Sequence, residues 1–149
     1  MLLRILIADD HAPLLEMLKA LIETHAGWQV CGEAKNGLEA VQKAAELKPD
    51  VIILDLSMPG LDGLQAASQI SLATPGVPIL IYTNHAVSPQ AKVEAQKHGV
   101  RDIINKTALD QLISAVEAAR PHTRRSGADE ILSDTMLPGA NLDREREEN

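Results

Sequence analysis

Five polar residues stand at or just beyond the C-terminal ends of apolar runs: Asp9 and Asp10 after LRILIA, Asp55 in VIILDL, Thr83 in PILIYT, and Lys106 just past VRDII. Each has an ordinary reading taken singly: Asp10 as an acid in a first helical turn, Thr83 as a cap, Lys106 as a solvated charge. Together they define a chemistry. Three carboxylates brought to one place repel one another unless a cation lies between them, and a hard divalent ion with oxygen ligands is the natural partner. A metal held by Asp10 and Asp55 keeps positions open for water and a phosphoryl oxygen, which suits Mg2+. Lys106 adds a second positive charge and Thr83 a hydroxyl donor. A carboxylate is a competent nucleophile toward phosphorus, and phosphoryl transfer needs little beyond positioning and charge neutralisation. Asp55 is therefore the expected acceptor of an aspartyl phosphate.

The elements that must position these residues follow from the pattern of the chain. Runs at 3–8, 28–33, 51–56, 78–83 and 100–104 are apolar without alternation, as strands covered on both faces are. Helical spacing fills the gaps. Leu14, Met17, Leu18, Leu21 and Ile22 form a first stripe behind Pro13, which a first helical turn tolerates. Leu38, Val41, Ala44 and Ala45 form a second, and Leu64, Ala67 and Ile70 a third. Leu109, Leu112, Ile113 and Val116 form the last, in a helix expected to start near Thr107. The fourth segment, 89–98, offers only Ala91, Val93 and Ala95, so its helix is expected to be the most weakly held. Five strands alternating with five helices predict an α/β fold with a parallel sheet, right-handed crossovers and helices on both faces. Ligands of such folds bind at the carboxyl ends of the strands.

The composition bounds the function. The chain has 149 residues, enough for one domain of ordinary size, and 45% of them are hydrophobic. Trp28 and Tyr82 are its only Trp and Tyr, and it has no Phe, so the core is expected to be aliphatic. A net charge of −7 gives no basic footprint for a phosphate backbone, and direct nucleic-acid binding is disfavoured. The single cysteine, Cys31, excludes an internal disulfide framework, fits a reducing cytoplasm and is expected to be a buried strand residue. No stretch reaches the roughly 20 apolar residues of a membrane span, and the N-terminal LLRILIADD lacks the makings of a signal peptide. After Arg120 the apolar period ends, and residues 121–149 read as a linker or flexible tail, with a helical turn expected around Glu130 to Met136.

The acidic pair in LIADDH, the acceptor context DLSMPGLDG, the hydroxyl in LIYTN and the lysine in IINKT, in that order, resemble the receiver domain of two-component response regulators. The resemblance covers residues 1–120. DDH, GEAKNGLEAV and DLSMPGLDG look most like the subfamily whose receivers usually precede a helix-turn-helix DNA-binding domain. The resemblance implies a flavodoxin-like doubly wound sheet of order 2-1-3-4-5. It implies phosphorylation of Asp55 by a sensor histidine kinase or a small phosphodonor, with conformational control of an output domain or protein target. Asp10, Asp55 and the backbone carbonyl of Ser57 would be direct Mg2+ ligands, and Asp9 a ligand through water. Thr83 and Lys106 would hold the phosphoryl oxygens. The chain would be no enzyme beyond self-catalysed phosphotransfer and dephosphorylation. Homodimerisation stays open.

Several positions depart from the family pattern. Ile103 stands where receivers usually carry an aromatic that swings inward, so either an aliphatic side chain serves the switch or the output surface differs. Thr107 replaces a common proline, and without proline a cis peptide costs about 2.5 to 4 kcal/mol. Asn84 replaces the usual alanine after Thr83 and could narrow access to the pocket. His85 and Ser57 flank the phosphoryl position and could tune acyl phosphate lifetime. Two other readings compete. A haloacid-dehalogenase-type phosphatase would need an acid two residues after the nucleophile, where this chain has Ser57. A phosphorylation-independent interaction module of the receiver fold is at odds with so complete a site. LDREREE at 142–148 resembles the opening of a helix-turn-helix domain, and the residues after 120 are too few for a whole one.

Overall fold

The computed structural model describes residues 2–120; the expected tail at 121–149, its helical turn and LDREREE lie outside the described residues. Strands β1 (Leu3–Ala8), β2 (Trp28–Ala34), β3 (Val51–Asp55), β4 (Ile79–Thr83) and β5 (Val100–Asn105) alternate with helices α1 (Ala12–Glu23), α2 (Gly37–Leu47), α3 (Gly63–Ala73), α4 (Pro89–Lys97) and α5 (Leu109–Ala119). All strand pairs are parallel and the order is β2-β1-β3-β4-β5, the expected topology. Each strand end lies within one or two residues of the apolar run that predicted it.

Two cores cover the two faces of the sheet. α1 and α5 bury Leu15, Leu18, Ile22, Leu112 and Val116 against Ile5, Ile7, Ile53 and Leu80. On the other face α2, α3 and α4 bury Ala40, Ala44, Ala66, Ala67, Ile70 and Ala95 against Leu6, Ile52, Leu54 and Ile81. The central strand β3 is buried along its whole length, which explains its continuous run of apolar residues. The edge strands are irregular: register shifts in β2 at Cys31 and in β5 at Arg101 break the regular ladder at both margins of the sheet.

The helical stripes were placed correctly in sequence but not always in phase. Met17 is 45% exposed while Leu15 is buried, and Leu38 and Ala45 of α2 face solvent while Ala40 and Ala44 face the sheet. The start of α2 packs closely on the loop after β3: a Cβ on Gly37 would lie 2.5 Å from the Leu61 Cβ, so no larger residue fits there. Cys31, expected to be buried, is half-buried at the irregularity of β2. α5 starts two residues later than expected, after Asn105 Oδ1 accepts from both the amide and the hydroxyl of Thr107. No peptide among the described residues is cis, that before Thr107 included.

Candidate phosphoacceptor and metal site

The topology turns the carboxyl ends of β1, β3, β4 and β5 to one mouth, where Asp9, Asp10, Asp55, Thr83 and Lys106 meet. Neighbouring strands fix these ends to one another: the Asp9 amide donates to Ala34 O (3.0 Å), the Leu56 amide to Tyr82 O (3.2 Å) and the Lys106 amide to Thr83 O (2.8 Å). One carboxylate oxygen from each of Asp9, Asp10 and Asp55 lies within 4.8 Å of the others. Asp9, Asp55 and Thr83 are the buried polar residues of the described chain, whereas Asp10 is exposed.

Local sequence explains how Asp55 is held. The chain leaves β3 through Met58, which is buried, and turns at Gly60, whose φ of 74° favours glycine. It returns so closely that the Gly63 amide donates to Leu56 O at 2.8 Å, and a Cβ on Gly63 would lie 2.5 Å from the Asp55 carbonyl oxygen. Asp62 then caps α3: its Oδ1 accepts from the Gln65 amide at 2.8 Å, while Gln65 Oε1 accepts from the Asp62 amide at 2.9 Å. Asp62 thus serves as the cap of α3. The acceptor strand and α3 form one rigid corner.

Lys106 is the cation of the mouth. Its Nζ donates to Asp9 Oδ2 at 3.1 Å and lies 3.2 Å from Asp55 Oδ1, bridging the two carboxylates. Asp9 has further donors: the His11 amide to Oδ1 (2.9 Å) and the Tyr82 hydroxyl to Oδ2 (2.7 Å). Burial alone would raise the Asp9 carboxyl, but the bonds from Tyr82, His11 and Lys106 outweigh it and hold Asp9 below its usual range. Asp55 goes the other way. Burial first and the Asp9 charge second push it up, with Lys106 opposing, and the Ser57 amide reaches its Oδ1 only at 3.4 Å. The mouth therefore holds three carboxylates against one ammonium, all with hard oxygen donors, which fits a small divalent cation. Both oxygens of Asp9 already accept protein donors, whereas Asp10 is exposed to solvent.

The structure brings together all five strand-end residues. Ser57, Asn84 and His85 are exposed around them, and Thr83 Oγ1 accepts from the His85 amide at 3.1 Å. Ile103 is buried in the core on the α4 side, with Ile81 and Ala95. Tyr82 was missed as a member of the site. The signal was present, since a tyrosine ending a buried strand must find a partner for its hydroxyl, but only the parallel pairing showed that the partner is Asp9.

Residues 5–117 match the family described as response regulator receiver domain. The chain belongs to this family. It is 45% identical over 104 residues to the chemotaxis protein CheY of Thermotoga maritima, covering 69% of this chain and 84% of that protein. It is 37% identical over 117 residues to the transcriptional regulatory protein YdfI of Bacillus subtilis, covering 76% of this chain and 54% of that regulator. The crystal structure of the response regulator domain of Thermotoga maritima CheB superposes with a TM-score of 0.74 at 32% identity, over 80% of this chain and 96% of that one. The receiver has relatives both among short receiver proteins and among regulators with further domains. Among its described residues no helix is long and apolar enough to cross a membrane.

Proposed function

We propose that this receiver takes a phosphoryl group onto Asp55 from a sensor histidine kinase or a small phosphodonor and passes the signal to an output domain or protein target through α4. The observation that carries the proposal is Lys106 bridging Asp9 and Asp55 at a mouth of three carboxylates. A cytoplasmic setting goes with that partner. Asp10, Asp55 and the Ser57 carbonyl would hold Mg2+, with Asp9 acting through water because its oxygens are occupied. When bound, the ion supplies charge neutralisation for the transferring phosphoryl oxygens.

The remaining steps belong to the chain. An Asp55 carboxylate oxygen attacks phosphorus; the new P–O bond forms as the bond to the leaving group breaks, and with a phosphohistidine donor the electron pair returns to the imidazole nitrogen. Burial and the Asp9 charge push the Asp55 carboxyl above its usual range, and Lys106 opposes them. Lys106, 3.2 Å from Asp55 Oδ1, is placed to follow the new charge onto the phosphoryl group. The added group carries roughly −1.5 to −2 charges. Thr83 turns its hydroxyl toward it, and because Thr83 Oγ1 holds the His85 amide, that movement pulls the loop leading into α4. Ile103 already points into the core, so the switch works without a swinging aromatic, through the loop and α4. Asn84 and His85, exposed at the entrance, set water access and so the lifetime of the acyl phosphate.

The test is intact-mass measurement after incubation with Mg2+ and acetyl phosphate. A gain of one phosphoryl group that disappears in Asp55→Asn and on chelation of Mg2+ is expected. No gain, or a gain that survives Asp55→Asn, rejects the proposal.

A further inference from the structure

Tyr82 stands on β4 immediately before Thr83, with its ring buried and its hydroxyl at the mouth of the sheet. Three contacts converge there. The hydroxyl donates to Asp9 Oδ2 at 2.7 Å, the same oxygen accepts from Lys106 Nζ at 3.1 Å, and that ammonium lies 4.8 Å from the centre of the Tyr82 ring.

We infer that Tyr82 is a positioning residue for phosphoryl transfer, its hydroxyl keeping buried Asp9 satisfied when Lys106 leaves that carboxylate for the phosphoryl group on Asp55. The inference rests on the phosphoacceptor reading. Before transfer, Lys106 is shared between Asp9 and Asp55. Once the Asp55 oxygen carries phosphorus, the negative charge lies on the terminal phosphoryl oxygens, one atom further out. The ammonium must turn toward them to neutralise them. Asp9 is fully buried, and its Oδ1 is already committed to the His11 amide. If Lys106 were the only donor to Oδ2, its departure would leave a buried carboxylate oxygen unpaired, a heavy penalty. The Tyr82 hydroxyl removes that penalty, and its ring, lying beside the ammonium, offers the cation a surface at both ends of its movement.

The chemistry of the step is that given above: the Asp55 oxygen bonds to phosphorus, the donor's P–O bond breaks, and acetate leaves when acetyl phosphate is the donor. The full chain, its Tyr82→Phe variant, Lys106→Met and the double variant are compared by the rate of mass gain with Mg2+ and acetyl phosphate. Phenylalanine keeps the ring and deletes only the donor. Tyr82→Phe is expected to slow the gain about tenfold, the size expected for stranding one buried acceptor, and to slow nothing further once Lys106 is methionine. A merely structural hydroxyl would not show that dependence on Lys106.

A second readout needs neither metal nor donor. In metal-free protein Tyr82→Phe is expected to lower the urea midpoint, and to leave it unchanged in an Asp9→Ala background. Transfer at the wild-type rate in Tyr82→Phe, or an equal loss in the presence and absence of Lys106, overturns the inference. If the wild type itself gains no mass, the phosphoacceptor reading fails and the inference falls with it; if only the Tyr82→Phe comparison fails, that reading stands.

Discussion

Helices α3 and α4 rise side by side from the same mouth, α3 out of the Asp55 loop and α4 out of the Thr83 loop, yet they are held in opposite ways. α3 is closed at its start by a reciprocal Asp62 and Gln65 cap and buries Gly63, Ala66, Ala67 and Ile70. α4 buries Ala95 alone and leaves Val93 56% exposed. Its ties are mostly polar: Lys92 to Asp102 of β5 at 3.2 Å, the His98 ring at its C-cap to Ser68 of α3, and the His98 carbonyl accepting from Ser71 Oγ at 3.4 Å. Apolar burial is lost only when a helix leaves altogether, whereas partly exposed polar ties can be exchanged for water at about 1 kcal/mol or less each. Asp55, at the end of β3, therefore leads into the firmly held helix, and Thr83, at the end of β4, into the loosely held one. A shift from 1:99 to 99:1 needs about 5.5 kcal/mol of differential stabilisation, which is within reach only for an element so lightly anchored.

The contrast breaks most decisively at Ile70, which is expected to cost about 2 to 4 kcal/mol when replaced by alanine, because it seals α3 to the sheet. Urea unfolding measures this. A cost below about 1 kcal/mol would mean that α3 is no better anchored than α4.

A smaller effect sharpens the account of the acceptor at the foot of α3. Because burial and the Asp9 charge raise Asp55 above its unfolded value near 3.8, the folded state prefers it neutral. That contribution favours folding at acid pH and is lost as pH rises through the folded pKa. In metal-free protein Asp55→Asn is therefore expected to match wild type below pH 3.8 and to become the more stable of the two toward neutrality. Denaturation midpoints across pH in chelator give the answer, and a variant less stable than wild type at neutral pH would show that Lys106 more than compensates the crowding.

The smallest effects belong to α4. Val93→Ala is expected to change global stability by no more than about 0.5 kcal/mol, and Ser68→Ala to leave it similarly unchanged while speeding amide exchange in the last turn of α4. A global loss comparable to that of Ile70→Ala would erase the difference between the two helices.

Much of this was legible in the chain. The five apolar runs gave the strands because residues buried on both faces of a parallel sheet leave no polar alternation. Reading only their ends gave Asp9, Asp10, Asp55, Thr83 and Lys106, and the thin stripe of 89–98 marked α4 as loose before any contact was known. What misled was phase: helical period gives the spacing of a stripe but not the direction of the sheet, so Leu38 and Met17 were counted toward the core although they face solvent.

The sequence by itself determined the alternation of buried strands and helices and the polar residues at the strand ends, because both are written as local patterns; the strand order came with the family resemblance. Only the tertiary structure decided how the charges are shared. That Lys106 spans Asp9 and Asp55, that Tyr82 completes Asp9, and that Asp9 and Asp55 shift in opposite directions depend on contacts between residues 46 to 97 positions apart. Hydrogen bonding and electrostatic attraction act over a few ångströms of space, and no local pattern in the chain records which distant groups the sheet will bring that close.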